Sequence, residues 1–265
     1  MKRLQLFEFE DAAWFPPSIR ASMTRMITVL HGWFQSPKHI STLLSDVIRE
    51  AGRHHIVDFC SGDGGPMIEA LAKLQESTEY TNVSLTLTDL YPNRAAIDRI
   101  AATSNGQIVY RNDPVDATQF RESDGHTIRT IIAGFHHMPP EKAKTILESA
   151  ALAGDPILVY EISDNSIPPK YLWWIGLPLN FIFGLVVAAC VRPMTPKHFF
   201  YSFIVPVIPL CFAWDGSVSN ARTYTESDLQ ELMSNIEADN YQWTIGRVDA
   251  KPAKHLYLLG TVILS

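Results

Sequence analysis

The sequence predicts a doubly wound α/β fold. It consists of a seven-stranded, mainly parallel sheet ending in a C-terminal antiparallel hairpin, with an N-terminal helical cap and an apolar helical insert. Three observations predict it. Short apolar, β-branched runs alternate with stretches of helical periodicity, the pattern of parallel strands joined by crossover helices. The first run ends in a glycine turn, Ser61-Gly-Asp-Gly-Gly65. The last two runs, Tyr241–Val248 and His255–Leu264, are separated by residues 249–254 alone, too few for a parallel crossover, which needs about a dozen.

From Asp11 to about Ala51 apolar residues recur at helical spacing (Met23, Met26, Ile27, Leu30, then Ile40, Leu43, Leu44, Val47), giving two or three helices before the first strand. Ser36-Pro37 is read as the start of one of them, with serine as the cap and proline where no donor is missed. The strand His55–Phe59, the glycine turn and a helix through Met67, Ile68, Leu71 and Leu74 form the first βα unit. Strands follow at Val83–Thr88, Gln107–Arg111, Thr127–Ala133 and Pro156–Ile162, with helices near Arg94–Ala102 and Pro140–Ala153. Thr225-Glu-Ser-Asp228 resembles a capping box opening a helix to about Ala238. Residues 1–50 read as the helical cap and 51–265 as the α/β domain, interrupted by the insert 171–214.

The chain has 265 residues, 22 Lys and Arg against 28 Asp and Glu, and a net charge of −6. Without a cationic run, that balance argues against a nucleic-acid partner held through its phosphates. Three cysteines, Cys60, Cys190 and Cys211, form neither a disulfide framework nor a metal-ligand spacing, so no metal is expected and a reduced cytoplasmic setting fits. The N-terminus lacks the apolar stretch of a secretory signal.

Ligands of open α/β sheets sit beyond the carboxyl ends of the strands, here at Asp58-Phe-Cys-Ser-Gly-Asp-Gly64 and the ends of the strands that follow. A nicotinamide turn requires Gly-x-Gly-x-x-Gly, and counting from Gly62 and Gly64 the third position is Met67. Asp58 with Gly62 and Gly64, Asp89 in Thr-Leu-Thr-Asp-Leu-Tyr, Asp116 in Pro-Val-Asp-Ala-Thr and Gly134-Phe-His-His-Met-Pro-Pro140 each close a strand, in that order. The series resembles the class I S-adenosylmethionine-dependent methyltransferases over nearly the whole chain outside the insert. The resemblance implies S-adenosyl-L-methionine as cofactor. Its methionine part would lie in the turn of Asp58, Cys60, Gly62 and Gly64, its ribose hydroxyls on Asp89 beside Leu90, and its adenine on Asp116 beside Ala117, with Phe135 near by. Cys60 stands where that family's motif has its first glycine.

Taken singly, Asp89 and Asp116 read as turn or cap aspartates; their position in the series reverses that. His136 or His137 suits a general base, since an imidazole titrates near neutrality, and Glu161 at the end of the fifth strand is a second candidate. Either histidine alternatively caps or packs. Cys60 reads as a packed small residue, because nothing near it in sequence lowers its pKa.

The insert holds two charged side chains, Arg192 and Lys197, in residues 171–214. Tyr171–Val191 is long enough to cross a bilayer, about 31 Å if helical, with Tyr171, Trp173 and Trp174 where interfacial aromatics belong. Phe199–Trp214, with Pro206 and Pro209, is short for a span, and a spanning hairpin would put both cations across the membrane from the sheet, against the positive-inside tendency. Spanning is therefore disfavoured. A hairpin dipping into one leaflet, a lid over an apolar substrate, and packing against the N-terminal helices or a second copy in a homodimer all stay open. The insert leaves the sheet at its ligand-binding edge, which makes Trp174, Arg222 and Tyr224 candidates for holding an acceptor; Arg222 equally pairs with a nearby acid. Trp14-Phe-Pro-Pro-Ser-Ile-Arg20 is a candidate cap over the cofactor.

The functional expectation is methyl transfer to a lipophilic small molecule or lipid-like acceptor, by a cytoplasmic protein peripherally associated with a membrane surface. Two rivals are a non-catalytic membrane-associated binding or assembly protein that keeps the cofactor pocket, and an enzyme that uses the same cofactor in cyclisation or elimination.

Overall fold

The computed structural model describes residues 1, 3–121, 125–165, 170–250 and 253–263, with the backbone alone at 170, 171, 250 and 253. The interfacial part given to the Tyr171 side chain and the tip of the closing hairpin, 251–252, lie outside the described residues. Seven strands form one sheet: β1 (His55–Phe59), β2 (Ser84–Leu87), β3 (Ile108–Tyr110), β4 (Thr127–Ile132), β5 (Ile157–Glu161), β6 (Tyr241–Ala250) and β7 (Ala253–Val262). Their order is β3-β2-β1-β4-β5-β7-β6. The first five are parallel, β7 runs antiparallel to β5 from Ile157 opposite Gly260 to Glu161 opposite Leu256, and β6 is antiparallel to β7. The expected fold class is the observed one. The order reverses between β1 and β4, which opens a crevice at their carboxyl ends.

The helices are α1 (Pro17–Trp33), α2 (Ser36–Ala51), α3 (Gly65–Leu74), α4 (Arg94–Thr103), α5 (Pro140–Ala153), α6 (Leu177–Cys190), α7 (Pro196–Phe199), α8 (Val207–Arg222) and α9 (Glu226–Met233). One face of the sheet buries Ile40, Leu44, Met67, Leu71 and Ile100 from α2, α3 and α4. The opposite face buries Ala143, Ile146, Leu147, Leu229 and Leu232 from α5 and α9. Each of these helices presents one apolar stripe, so most of its stability is tertiary burial, about 1.5–3 kcal/mol for each large side chain sealed.

Two local expectations change. The N-cap of α2 is Gln35 in a left-handed conformation, with no side-chain cap bond, so Ser36 begins the helix and does not cap it. The capping box at Thr225 and Asp228 forms as expected, but α9 stops at Met233, short of Ala238, where Ser234 and Asn235 turn their side chains back onto the Glu231 carbonyl.

A third apolar cluster belongs to neither face. Ala12, Phe15, Met23, Met26 and Leu30 of the N-terminal segment and α1 pack against Val187, Ala188 and Val191 at the end of α6 and Ile208, Cys211 and Phe212 of α8. The insert is thus anchored on the N-terminal cap. A 75° bend divides Pro196–Ile204 from Val207–Arg222, at a break where Val205 and Pro206 interrupt the helical ladder.

Candidate functional site

The turn after β1 is built from its own hydrogen bonds. Asp58 is 2% exposed, and its carboxylate accepts from Ser61 Oγ at 2.6 Å and from Thr130 Oγ1 on β4 at 2.6 Å, tying the turn to the neighbouring strand. Burial, opposed by those two bonds, pushes its pKa up to about 7. The chain then turns through left-handed conformations at Cys60 (φ 58°), Gly62 and Gly64 (φ 78°). A Cβ on Gly64 would lie 2.7 Å from Leu87 Cδ1, so only glycine fits there. Across the crevice, a Cβ on Gly134 would meet Cys60 Cβ at 2.9 Å, which is how close the β1 and β4 ends come. Burial raises the Cys60 thiol pKa, which leaves it protonated and packed.

Asp89, at the end of β2, accepts from Gly62 N at 2.9 Å through Oδ2 and from Tyr91 N at 2.8 Å through Oδ1. Each carboxylate oxygen has two lone pairs, so a pair of acceptor positions stays open after both bonds. The exposed Leu90 follows. Asp116 Oδ1 accepts from Thr118 N and Oγ1 at 2.9 and 2.7 Å, while Oδ2 has only a 3.5 Å contact from Gln119. Ala117 and Phe135 are buried in the apolar cluster on the α5 and α9 face. The turn, Asp89 and Asp116 therefore offer left-handed glycines and two half-used carboxylates along one sheet edge.

Beyond β4 and β5 the site changes character. Glu161 receives His136 N at 3.0 Å and His136 Nδ1 at 2.9 Å. Burial alone would lower the pKa of His136 and raise that of Glu161; their attraction reverses both, so His136 is raised and Glu161 lowered. His137 Nδ1 lies 2.9 Å from Asp11 Oδ1 and 3.4 Å from Glu8 Oε2, its ring 4.2 Å from that of His136. Arg222, buried at the end of α8, reaches Asp11 at 2.6 Å and Glu8 at 3.2 Å and donates to the His137 carbonyl. Tyr224 donates to the Met138 carbonyl at 2.7 Å, with the Arg3 guanidinium 4.4 Å over its ring. Arg3 in turn donates to the carbonyls of Arg222 and His136, both at 2.6 Å.

His136, His137, Glu161, Arg222 and Tyr224 thus converge, as do the turn, Asp89 and Asp116. Arg222 takes the ion-paired form among its readings. Trp174 is exposed on the insert, and among the described residues no hydrogen bond or ring contact joins it to this group. Trp14 joins a cluster with Phe7, Phe9 and Phe15, extended by Trp214.

The partners that sequence reasoning missed are those of the N-terminal segment: Arg3, Glu8, Glu10 and Asp11. Asp215 accepts from Phe9 N and Glu10 N, fastening that segment to α8. Burial pushes Asp215 to about 7 and Glu10 to about 8. The one available signal was the acidic run Glu8-Phe-Glu-Asp11, whose partners lie some 120 to 210 residues away.

No family model matches the sequence, and no curated protein matches it. Among solved structures, the chain is similar to a plantazolicin methyltransferase in complex with SAH, at 14% identity over 92% of this chain and 98% of that one, TM-score 0.46. It is similar to a magnesium protoporphyrin IX methyltransferase from Synechocystis with bound SAH, at 10% identity over 85% and 82%, TM-score 0.49. A chain described as a zinc-dependent alcohol dehydrogenase from Rhodobacter sphaeroides aligns comparably, at 12% identity over 79% and 84%, TM-score 0.45. Likenesses of this grade join proteins of different chemistry and carry no argument about this one.

Proposed function

We propose that the chain is an S-adenosylmethionine-dependent methyltransferase acting on a lipophilic small-molecule or lipid-like acceptor at a membrane surface. The observation that carries this reading is the sheet edge itself. A left-handed glycine turn donates Gly62 N to Asp89, and the remaining lone pairs of Asp89 and of Asp116 Oδ2, which has only a long contact from Gln119, suit ribose hydroxyls and an adenine amino group. Bound there, the cofactor supplies an electrophilic methyl group. Asp58 braces the turn from inside; Gly62 and Gly64 let the backbone come close; Leu90, Ala117, Phe135 and Cys60 supply the apolar walls. Most of the rate enhancement in such a site is alignment of acceptor and methyl.

The end formed by His136, His137 and Glu161 takes charge of the acceptor's proton, and Arg222 and Tyr224 hold the carbonyls that shape that end. The lipophilic acceptor and the membrane are inferred from the insert. The helical stretch Leu172–Cys190 is long and apolar enough to cross a bilayer, yet its outer side is bare: Leu179 is 70% and Ile182 59% exposed. With α8 ending inside the site at Arg222, the insert joins that bare surface to the reacting centre and can deliver an acceptor from the lipid phase. Isothermal titration of the purified protein with S-adenosylhomocysteine tests the reading, with saturable one-site binding expected; absence of binding overturns it. Release of S-adenosylhomocysteine from S-adenosylmethionine on presentation of acceptors in vesicles separates transfer from a binding-only role.

A further inference from the structure

We infer that Glu8, His136 and His137 form a binding site for a first-row divalent transition-metal ion of the zinc or cobalt type. One ligand atom from each lies within 4.8 Å of the other two. Neighbouring ligands of a tetrahedral ion bonded at about 2.1 Å stand about 3.4 Å apart, so closing the site takes side-chain rotations that bring these atoms together by about an ångström. The three side chains are also prepared for it. Glu161 accepts from His136 Nδ1, so Nε2 is the ring nitrogen that can ligate, its proton being released as the ion binds; a carboxylate behind a histidine is the usual way a metal-binding imidazole is oriented. Glu8 divides its oxygens: Oε1 is held by Ser219 Oγ at 3.0 Å and Arg222 at 3.2 Å, and Oε2 faces His137. Asp11, 2.9 Å from His137 Nδ1, stands behind the second imidazole as Glu161 stands behind the first.

The charges agree. Three carboxylates, Glu8, Asp11 and Glu161, meet two guanidinium groups, Arg222 and Arg3, so a cation entering between them is compensated. Mixed imidazole and carboxylate donors suit zinc, cobalt or iron, whereas magnesium and calcium prefer oxygen alone. An ion held here would pin the N-terminal segment, which carries Glu8, to the end of β4. Its binding follows from the geometry alone. The further consequence, that it takes an acceptor oxygen and lowers that oxygen's pKa, rests on the methyltransferase reading.

The test is titration of chelator-treated, full-length protein with Co2+, followed by ligand-field absorption and calorimetry. One site is expected. Glu8→Gln and His137→Gln should each weaken it at least ~10-fold, and Glu161→Gln ~10- to 100-fold through the orientation of His136. His54→Gln, on the loop before β1, should leave it unchanged. Absence of saturable Co2+ absorption in the wild type, or an affinity untouched by both Glu8→Gln and His137→Gln, overturns the inference. Should buried Glu8→Gln fail to fold by circular dichroism, the half-buried His137 carries the comparison. S-adenosylhomocysteine is titrated into the same samples. Normal binding of it without Co2+ removes the ion alone; Co2+ binding without it removes the methyltransferase reading alone.

Discussion

Two helices of similar length show how differently this chain uses apolar residues. Helix α2 seals Ile40, Leu44, Val47 and Ile48 against the sheet and turns Lys38, Thr42, Asp46, Arg49 and Glu50 outward. Helix α6, Leu-Pro-Leu-Asn-Phe-Ile-Phe-Gly-Leu-Val-Val-Ala-Ala-Cys, buries Gly184, Val187 and Ala188 and leaves Leu179, Ile182, Phe183 and Val186 on the outside. A helix that is apolar all round needs a second apolar surface beyond its protein contacts. The sheet half of the molecule is therefore covered by its own helices, whereas the insert half leaves one apolar side of α6 uncovered.

The largest expected effect breaks that contrast directly. Leu179→Glu, Ile182→Glu and Val186→Glu together replace exposed apolar side chains, each worth about 1.5–3 kcal/mol when buried. If the bare side of α6 sits in lipid, the triple variant should lose membrane partition by about 3 kcal/mol or more, over 100-fold, in liposome flotation. Its thermal midpoint in water should stay within about 2 °C, because these side chains stabilise little in the free protein. Equal flotation of variant and wild type would show the face to be a lid or a contact between copies.

The converse experiment attacks the sheet half. Arg129, on β4, is sealed with Asp155, 2.9 Å from Oδ2 to its Nε, and lies 5.0 Å over the Phe120 ring. Arg129→Ala removes the buried guanidinium paired with Asp155 and should cost about 3 kcal/mol in denaturant unfolding while flotation is unaffected. A smaller change follows at the cofactor edge. Asp89→Asn exchanges one acceptor oxygen for a donor facing Gly62 N or Tyr91 N and should weaken S-adenosylhomocysteine by about 2 kcal/mol, ~30-fold, with vesicle binding intact. An unchanged affinity would remove Asp89 from the site.

The contrast also explains what could be read before the coordinates. The sheet half was legible because its elements are local: period, glycine turn and capping residues fixed all seven strands to within a few residues. The strand ends then placed Asp58, Asp89, Asp116, His136 and Glu161 on one edge, since topology alone orders them. The metal-like group was not legible. Glu8 and Asp11 reach His137 and Arg222 only because Asp215 holds the backbone of Phe9 and Glu10, and no sequence period connects residues so far apart. Likewise Arg222 and Tyr224 are bound by the carbonyls of His137 and Met138, which carry no side-chain signature.

The smallest effect is a pH dependence that joins the two halves, because Asp58 lies in the sheet turn and Asp215 in the insert's last helix. Burial raises both to about 7, against about 4 in an unfolded chain. Between those values the folded state binds more protons than the unfolded one, so this contribution to stability is greatest at low pH and is lost as pH rises through 7. His31 and His255, lowered by burial to about 4, act with the opposite sign below 6.5, where the unfolded chain takes up protons that the folded one refuses. Above 7 the histidines contribute little and the acids decide, Glu10 among them, raised to about 8 by burial and by Asp215. From pH 7 to 8 the three acids should together cost about 1–2 kcal/mol, read as a falling denaturation midpoint at constant slope. Asp215→Asn lowers absolute stability by removing an acceptor from Phe9 N or Glu10 N, yet it should shrink this pH-dependent loss, by its own share and by removing the charge that helps to raise Glu10. A variant that loses stability over the same pH interval as steeply as the wild type would show that Asp215 is already ionised where the N-terminal segment meets α8.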